Sequence, residues 1–394
     1  MVGRSTAPPS LIQIALNCGM CENRSMPQQL DWPQVGSRIR AARTLCQRSQ
    51  DQVASHLGID RTAVMRMEAG SRKVSALELS RLAALFDVPL SYFLSSPPAA
   101  VVSRRGAAPD EPDAAARAVW RLDIDLDAHA RDVTMLARAE LLPTPAVPDW
   151  RREELADVAA ARTFAQRVRR SMSFAAGPLG PLADVCALWG LHLLSVDRDA
   201  DGASMQLDET PGFGAAVVGS QLDPGRRRFT AAHELGHHLL RDPYSSDVGV
   251  SASRDERERL INAFAQELLL PEADLRRAFD KSADHWTTLV RLAAEYRVSW
   301  SLVVRAACEH GLISKDESGP LTARRPVQGD FLALLGSAPA PDLVKGTTAA
   351  TWKQAVLMAY QQALITGPRA LEMLHGAAES VADLPTREAV DAAP

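Results

Sequence analysis

His233-Glu234-Leu235-Gly236-His237 sits inside a stripe of apolar residues, and few folds can accommodate it. Asp223-Pro224 supplies an N-cap followed by a proline at the first helical position, which opens a helix running to Leu240. On that helix Phe229, Ala232, His233, Gly236, His237 and Leu240 share one face. Two histidines four residues apart on such a face point the same way and can share one ion at ~2.0–2.1 Å. Glu234 is turned off the ligand line, where it can take the proton of a water held at the ion. Gly236 leaves room for another element to pack close. His238 is turned about 100° from His237 and is left out of the ligand set.

Zinc needs a third protein ligand and an open fourth position if it is to do chemistry. Asp242, Asp247, Glu256, Glu258 and Glu267 are the candidates downstream. The next helix, about 254–270, separates them. Counting from Glu258, its apolar stripe takes in Ile261, Asn262, Ala265, Leu268 and Leu269. An unpaired carboxylate on that stripe is costly, and a cation relieves the cost. Glu256 and Glu267 fall on the flank and are expected to be solvated. Asn262, one turn beyond Glu258, is placed to orient a ligand. Ahead of the motif, Leu182 to Leu188 reads as a helix. Leu191 to Val196, Ala203 to Leu207 and Gly214 to Val218 read as strands of a small sheet.

Residues 35–94 carry a different pattern, four or five short helices. Val35 to Leu45 is the first. The second starts near Gln50 and stops at Gly58, and Asp60 caps a third that ends before Gly70. Ser75 caps a fourth, with Leu77, Leu82 and Leu85 as its expected inner stripe. Helix, glycine turn, helix is the arrangement that lays a recognition helix in the major groove. The third helix exposes Arg61, Thr62 and Arg66, side chains suited to base edges, while Val64 and Met67 look inward. The segment holds nine basic and five acidic residues, a net of +4, on a chain of net charge −4. Phosphate attraction is therefore localised here.

Both patterns resemble known families. Ser49-Gln50-Asp51-Gln52-Val53-Ala54, Leu57-Gly58-Ile59 and Val64-Met65-Arg66-Met67-Glu68-Ala69-Gly70 resemble the XRE/Cro family of helix-turn-helix repressors. The resemblance implies that Gln50, opening the second helix, grips the phosphate backbone of double-stranded operator DNA. Arg228-Phe229-Thr230-Ala231-Ala232-His233-Glu234-Leu235-Gly236-His237, followed by Glu258-Arg259-Leu260-Ile261-Asn262-Ala263-Phe264-Ala265-Gln266-Glu267-Leu268-Leu269-Leu270-Pro271, is similar to the ImmA/IrrE metallopeptidase family. That family's third ligand is a Glu opening the second helix, which matches Glu258.

The expected fold is therefore multidomain and mainly α. An N-terminal all-α, lambda-repressor-like helix-turn-helix domain (35–95) follows a disordered leader (1–34). A linker (96–113) leads to a connecting or dimerisation helix (114–141). Its seam of Val119, Leu122, Leu126, Val133 and Leu136 steps in threes and fours with His129 between, and such a stripe faces either the core of its own domain or a second copy of the chain. An α+β, zincin-like metallopeptidase domain (150–314) comes next, then a proline-rich linker and helical C-terminal region (315–394). Five cysteines, among them a lone Cys18-Gly-Met-Cys21, are too few and too odd in number for a disulfide framework or a zinc ribbon. No apolar run reaches the ~20 residues of a membrane span, and the short apolar stretch near the N-terminus is no secretory signal. The expected location is the cytoplasm of a bacterium.

The function implied is a DNA-binding transcriptional regulator, a homodimer on its operator, that carries a zinc metalloendopeptidase domain. His233, His237 and Glu258 hold Zn²⁺, Glu234 is the general base, and the substrate is a regulatory protein of the repressor or antitoxin kind. The alternative is a DNA-binding repressor or antitoxin whose zinc domain is a sensor or protein-binding module without turnover.

Overall fold

A computed structural model of the protein describes residues 31–94, 114–145, 155–240, 251–282 and 284–387. The Cys18–Cys21 pair, the linker 96–113 and most of the leader lie outside these residues. The chain divides into two compact units, Met1–Leu82 with Phe93–Pro97, and Ala83–Tyr92 with Pro98–Pro394.

The smaller unit opens on α1 (Trp32–Leu45). Asp31 caps it, accepting from the backbone N of Gln34 at 2.8 Å while Gln34 reaches back to the N of Asp31. The helix thus starts three residues inside the segment expected to be a leader, because a capping box and an early proline outweigh a polar composition. Its buried face is Val35, Ile39 and Ala42. α2 (Gln50–Leu57) starts on a Ser49/Gln52 capping box and stops at Gly58, whose φ of 71° is left-handed. α3 (Arg61–Glu68) is capped by Asp60, which accepts from the N of Ala63 at 2.7 Å. Gly36 is required where α1 meets α3, because a Cβ there would lie 2.3 Å from the carbonyl oxygen of Met67. In α4 (Ala76–Phe86) the inner stripe is Leu79, Leu82 and Phe86. Leu77, expected inside, is exposed, since the 3-4 spacing runs from Leu79. α5 (Ser91–Leu94) buries Phe93.

In the larger unit, α6 (Ala114–Arg138), α7 (Val158–Ser171) and α8 (Leu182–Leu188) precede β1 (Leu191–Val196), β2 (Gly202–Gln206) and β3 (Gly214–Gly219). The sheet order is β1-β3-β2, with β1 parallel and β2 antiparallel to β3. β3 is buried along its whole length, as a strand covered on both faces must be. α6 packs on this sheet. Its Leu122, Leu126, Val133 and Leu136 belong to the unit's own core, as the core-facing reading of the seam expects, and are not left open to pair two copies.

α9 (Pro224–Leu240) also packs on β2 and β3, and α10 (Ser251–Leu269) packs on both α9 and α7. Phe264 of α10 meets Phe164 of α7 with ring centroids 5.4 Å apart. α11 (Glu272–Phe279), α12 (His285–Glu295) and α13 (Trp300–Glu309) follow. The stretch expected as a proline-rich linker carries α14 (Lys315–Ala323) and α15 (Gln328–Leu335). A Ser314–Glu317 capping box starts α14 despite its internal proline. Beyond them the turn at Gly346 and Thr347 hydrogen-bonds to the backbone of Ser195 along the outer edge of β1. α16 (Ala350–Gln361) and α17 (Gly367–Leu374) pack together, tied by the Trp352 indole donating to the carbonyl of Met373 at 2.8 Å. Among the described residues no helix is long and apolar enough to cross a membrane.

Candidate functional site

α9 carries His233 and His237 on a buried face, and the pair is 0% and 2% exposed. Their Nε2 atoms are 3.0 Å apart. Glu258, on α10, brings Oε2 to 3.3 Å from His233 Nε2 and Oε1 to 3.6 Å from His237 Nε2. Three donors bound at ~2.0–2.1 Å in tetrahedral array lie about 3.3 Å apart, so this spacing is that of one face of a zinc site. The donor set, two imidazoles and a carboxylate, is also that of catalytic zinc. Among the described residues this is the one cluster of three such groups close enough to hold an ion. The Glu258 side chain is 31% exposed, so the cluster is buried on its histidine side and reached by solvent on its carboxylate side.

Two neighbours complete the arrangement. Asn262 Oδ1 is 3.2 Å from His233 Nδ1. With the proton on Nδ1, Nε2 keeps its lone pair for an ion. Glu234 is fully buried and accepts a hydrogen bond from Ser204 Oγ, on β2, at 2.6 Å. Sequence reasoning did not single out Ser204, and its one signal was a serine between Ala203 and Met205 in a short strand. The close approach of α9 and α10 depends on Gly236. A Cβ there would meet Phe264 Cδ1 at 2.9 Å and Ile261 Cγ2 at 3.2 Å.

The remaining candidates separate. His238 Nε2 bonds to the carbonyl of Trp189 at 2.9 Å, away from the pair. Asp242 and Asp247 lie outside the described residues. Glu256 pairs with Arg259 at 2.7 Å. Glu267, expected at a solvated flank, is buried: it accepts from Gln166 Nε2 at 2.8 Å and from the N of Glu272 at 3.2 Å, and burial raises its pKa. Its flank of α10 faces α7, a packing that helical spacing alone does not reveal.

In the smaller unit Arg61, Thr62 and Arg66 are exposed on α3. A concavity lined by Asp60, Thr62, Arg66 and Arg72 lies along the turn between α2 and α3. Arg61 Nη1 stands 3.4 Å from Asp51, with both side chains mostly exposed. Gln50 is engaged inside the unit, its Nε2 donating to Glu68 Oε2 at 2.9 Å. Glu68 is buried and also accepts from Arg43 Nε at 2.5 Å, so one carboxylate ties α1 and α2 to α3.

Residues 201–307 match the family model of the IrrE N-terminal-like domain, a peptidase family, and residues 39–93 match that of the helix-turn-helix. Over 79 residues the chain is 35% identical to proteins named as uncharacterized HTH-type transcriptional regulators in Sinorhizobium medicae and Rhizobium meliloti. That alignment covers 20% of this chain and 56% of each relative, so the chain spans about half the length of the curated relatives it matches. The chain is thus a mainly helical, multidomain protein that joins an XRE-type helix-turn-helix segment to an IrrE N-terminal-like domain.

Proposed function

We propose that the protein is a DNA-binding transcriptional regulator whose second domain is a zinc-dependent endopeptidase acting on a regulatory protein. The observation that carries the peptidase reading is the convergence of His233, His237 and Glu258 at 3.0 to 3.6 Å, with Glu234 buried beside them. A purely structural zinc site needs no general base next to its ligands.

In this reading the two imidazoles and the Glu258 carboxylate hold the ion. When bound, zinc polarises a scissile carbonyl and makes water acidic near neutral pH. Glu234 takes the proton of the attacking water and passes it to the leaving amine. Ser204 Oγ donates to Glu234 Oε2 and fixes the orientation of the carboxylate. Asn262 keeps His233 in the tautomer that binds. On DNA, Arg61, Thr62 and Arg66 read base edges, and Gln50 meets the phosphates from the start of α2. Two copies on a two-fold operator would pair through a surface other than the α6 seam. A DNA partner places the protein's work in the bacterial cytoplasm.

The test compares zinc-loaded wild type with Glu234→Gln in a lysate of the source cells, with labelling of newly formed protein N-termini. Wild type generates a discrete set of new termini and Glu234→Gln generates none, although both bind one zinc per chain. Identical sets from both proteins would overturn hydrolysis and favour the non-catalytic sensor.

A further inference from the structure

Apart from the histidine pair, the larger unit holds a cavity of about 760 Å³. That lies within the ~300–1,000 Å³ usual for sites that enclose a small organic molecule. Residues from three stretches line it: the first turns of α9, the α12–α13 corner with the start of α13, and the segment 322–342.

Its charge is one-sided. Five arginines face it, Arg226, Arg228, Arg297, Arg305 and Arg325, against the carboxylates of Asp223 and Asp342. Both carboxylates are engaged. Asp223 Oδ1 caps α9, accepting from the N of Gly225 at 2.9 Å and of Arg226 at 3.2 Å. Asp342 Oδ2 pairs with Arg228 and accepts from the N of Leu182 at 3.1 Å. Arg226 turns to Asp201 at 2.7 Å.

The other three arginines are poorly compensated. Arg297 Nη2 donates to the carbonyls of Leu179 at 2.6 Å and Gly180 at 2.9 Å, which do not neutralise it, and its nearest carboxylate is Asp342 at 3.8 Å. Arg305 has Glu309 at 3.7 Å. Arg325 is exposed and has no ion-pair partner among the described residues. Burial pulls the pKa of Arg228 down to about 10 even with Asp342 beside it.

Between the cations the walls are apolar: Phe229, Trp300, Phe331, Pro339 and Pro341. Trp300 is fixed by its indole donating to the carbonyl of Leu321 at 2.7 Å and by an edge-on approach to Trp286 at 5.1 Å. Neither α14 nor α15 buries a residue. Their segment is held by polar and ring interactions, such as Arg324 3.7 Å over the Trp286 ring, and by Leu321 packed against the edge of the core.

We propose that this cavity binds a small organic anion, a carboxylate or phosphate ester carried on an aromatic or branched apolar body. Guanidinium forks take the head group and the rings take the body. Phe229 stands one turn before His233 on α9, so the occupant lies against the first turns of the helix that carries the metal pair.

The test is isothermal titration of the zinc-loaded full chain with 1-naphthoate, 1-naphthyl phosphate and the neutral 1-naphthamide. At least one acid is expected to bind saturably, and the amide at least tenfold more weakly. The two acids distinguish a carboxylate from a phosphate head group. The double variant Arg305→Gln/Arg325→Gln, at exposed positions, is expected to lose at least tenfold in affinity for the acid. Glu258→Ala, which removes a metal ligand, is expected to keep it. Equal affinity for the amide, an unchanged constant in the arginine variant, loss in Glu258→Ala alone, or no saturable binding of either acid up to millimolar concentration would each overturn the proposal.

Discussion

A single amide decides how His233 presents itself. With Nδ1 directed at Asn262 Oδ1 3.2 Å away, the ring is held both in tautomer and in rotation. Removing such a partner typically costs 10- to 100-fold in metal affinity. Asn262→Ala is therefore expected to bind zinc about 10- to 100-fold more weakly, measured by competition with a chromophoric chelator, with an unchanged far-UV spectrum. Unaltered affinity would mean that packing alone orients the ring. A second residue-scale effect lies far from the metal. His129 and His192 are buried beside Trp352, and burial holds their pKa values down to about 3 and about 4. The unfolded chain takes up these protons near pH 6.5 while the folded chain refuses them, so stability falls as the pH drops through that window. One pH unit below the unfolded pKa is worth about 1.36 kcal/mol, so each histidine withdraws up to about 2 kcal/mol between pH 7 and 5. Urea unfolding at the two pH values reads this loss, and His129→Phe is expected to shrink it.

Gly236 sets the separation of α9 and α10 at the level of the element. A methyl group there meets Phe264 and Ile261, and overpacking of this kind costs roughly 1–3 kcal/mol. Since Glu258 rides on α10, Gly236→Ala is expected to weaken zinc binding along with stability, whereas Gly329→Ala, with nothing within 4 Å, is expected to change neither. Equal zinc affinity in Gly236→Ala would show that α10 can shift without carrying Glu258 away. These two helices were legible in the sequence because their signals are local: a cap, a proline at the first turn, and a 3-4 stripe bearing the ligands. The strands were legible within a residue at each end because short apolar runs stood between glycines and prolines. What escaped was non-local. Glu267 looks solvated on a helical projection, and its burial depends on α7, about a hundred residues earlier in the chain. The α6 seam shows a heptad, yet a heptad states only that a face is covered, and here the sheet covers it. The start of α1 and the helices at 315–335 were hidden by polar and proline-rich composition, although the capping boxes of α1 and α14 could be found by looking for Asp or Ser three residues before Gln or Glu.

Across the whole molecule, charge and chemistry are segregated along the chain. Residues 35–94 carry a net of +4 on a chain of −4, so the rest carries a net of −8 and the long-range attraction for a DNA backbone is concentrated in 35–94. The DNA-reading candidates Arg61, Thr62 and Arg66 belong to the smaller unit, and the ligand candidates His233, His237 and Glu258 to the larger. The two sets should therefore respond to different perturbations. Arg61→Ala/Arg66→Ala is expected to weaken binding to duplex DNA and to leave zinc content at one per chain. If these side chains neutralise phosphates, the double variant also flattens the plot of log affinity against log salt by nearly one unit for each phosphate left unpaired. Chelation acts in the opposite way. A ligand present at a thousand times its dissociation constant stabilises the fold that binds it by about 4 kcal/mol, so removing zinc should lower the unfolding midpoint of the larger unit. DNA affinity, measured by fluorescence anisotropy before and after chelation, should stay within about twofold if each unit keeps its own fold. A larger change would be a coupling free energy between metal and DNA, and by linkage DNA would then alter zinc affinity by the same factor. Titrating zinc in the presence and absence of duplex closes that cycle and decides whether the protein combines two independent sites or transmits metal occupancy to its operator.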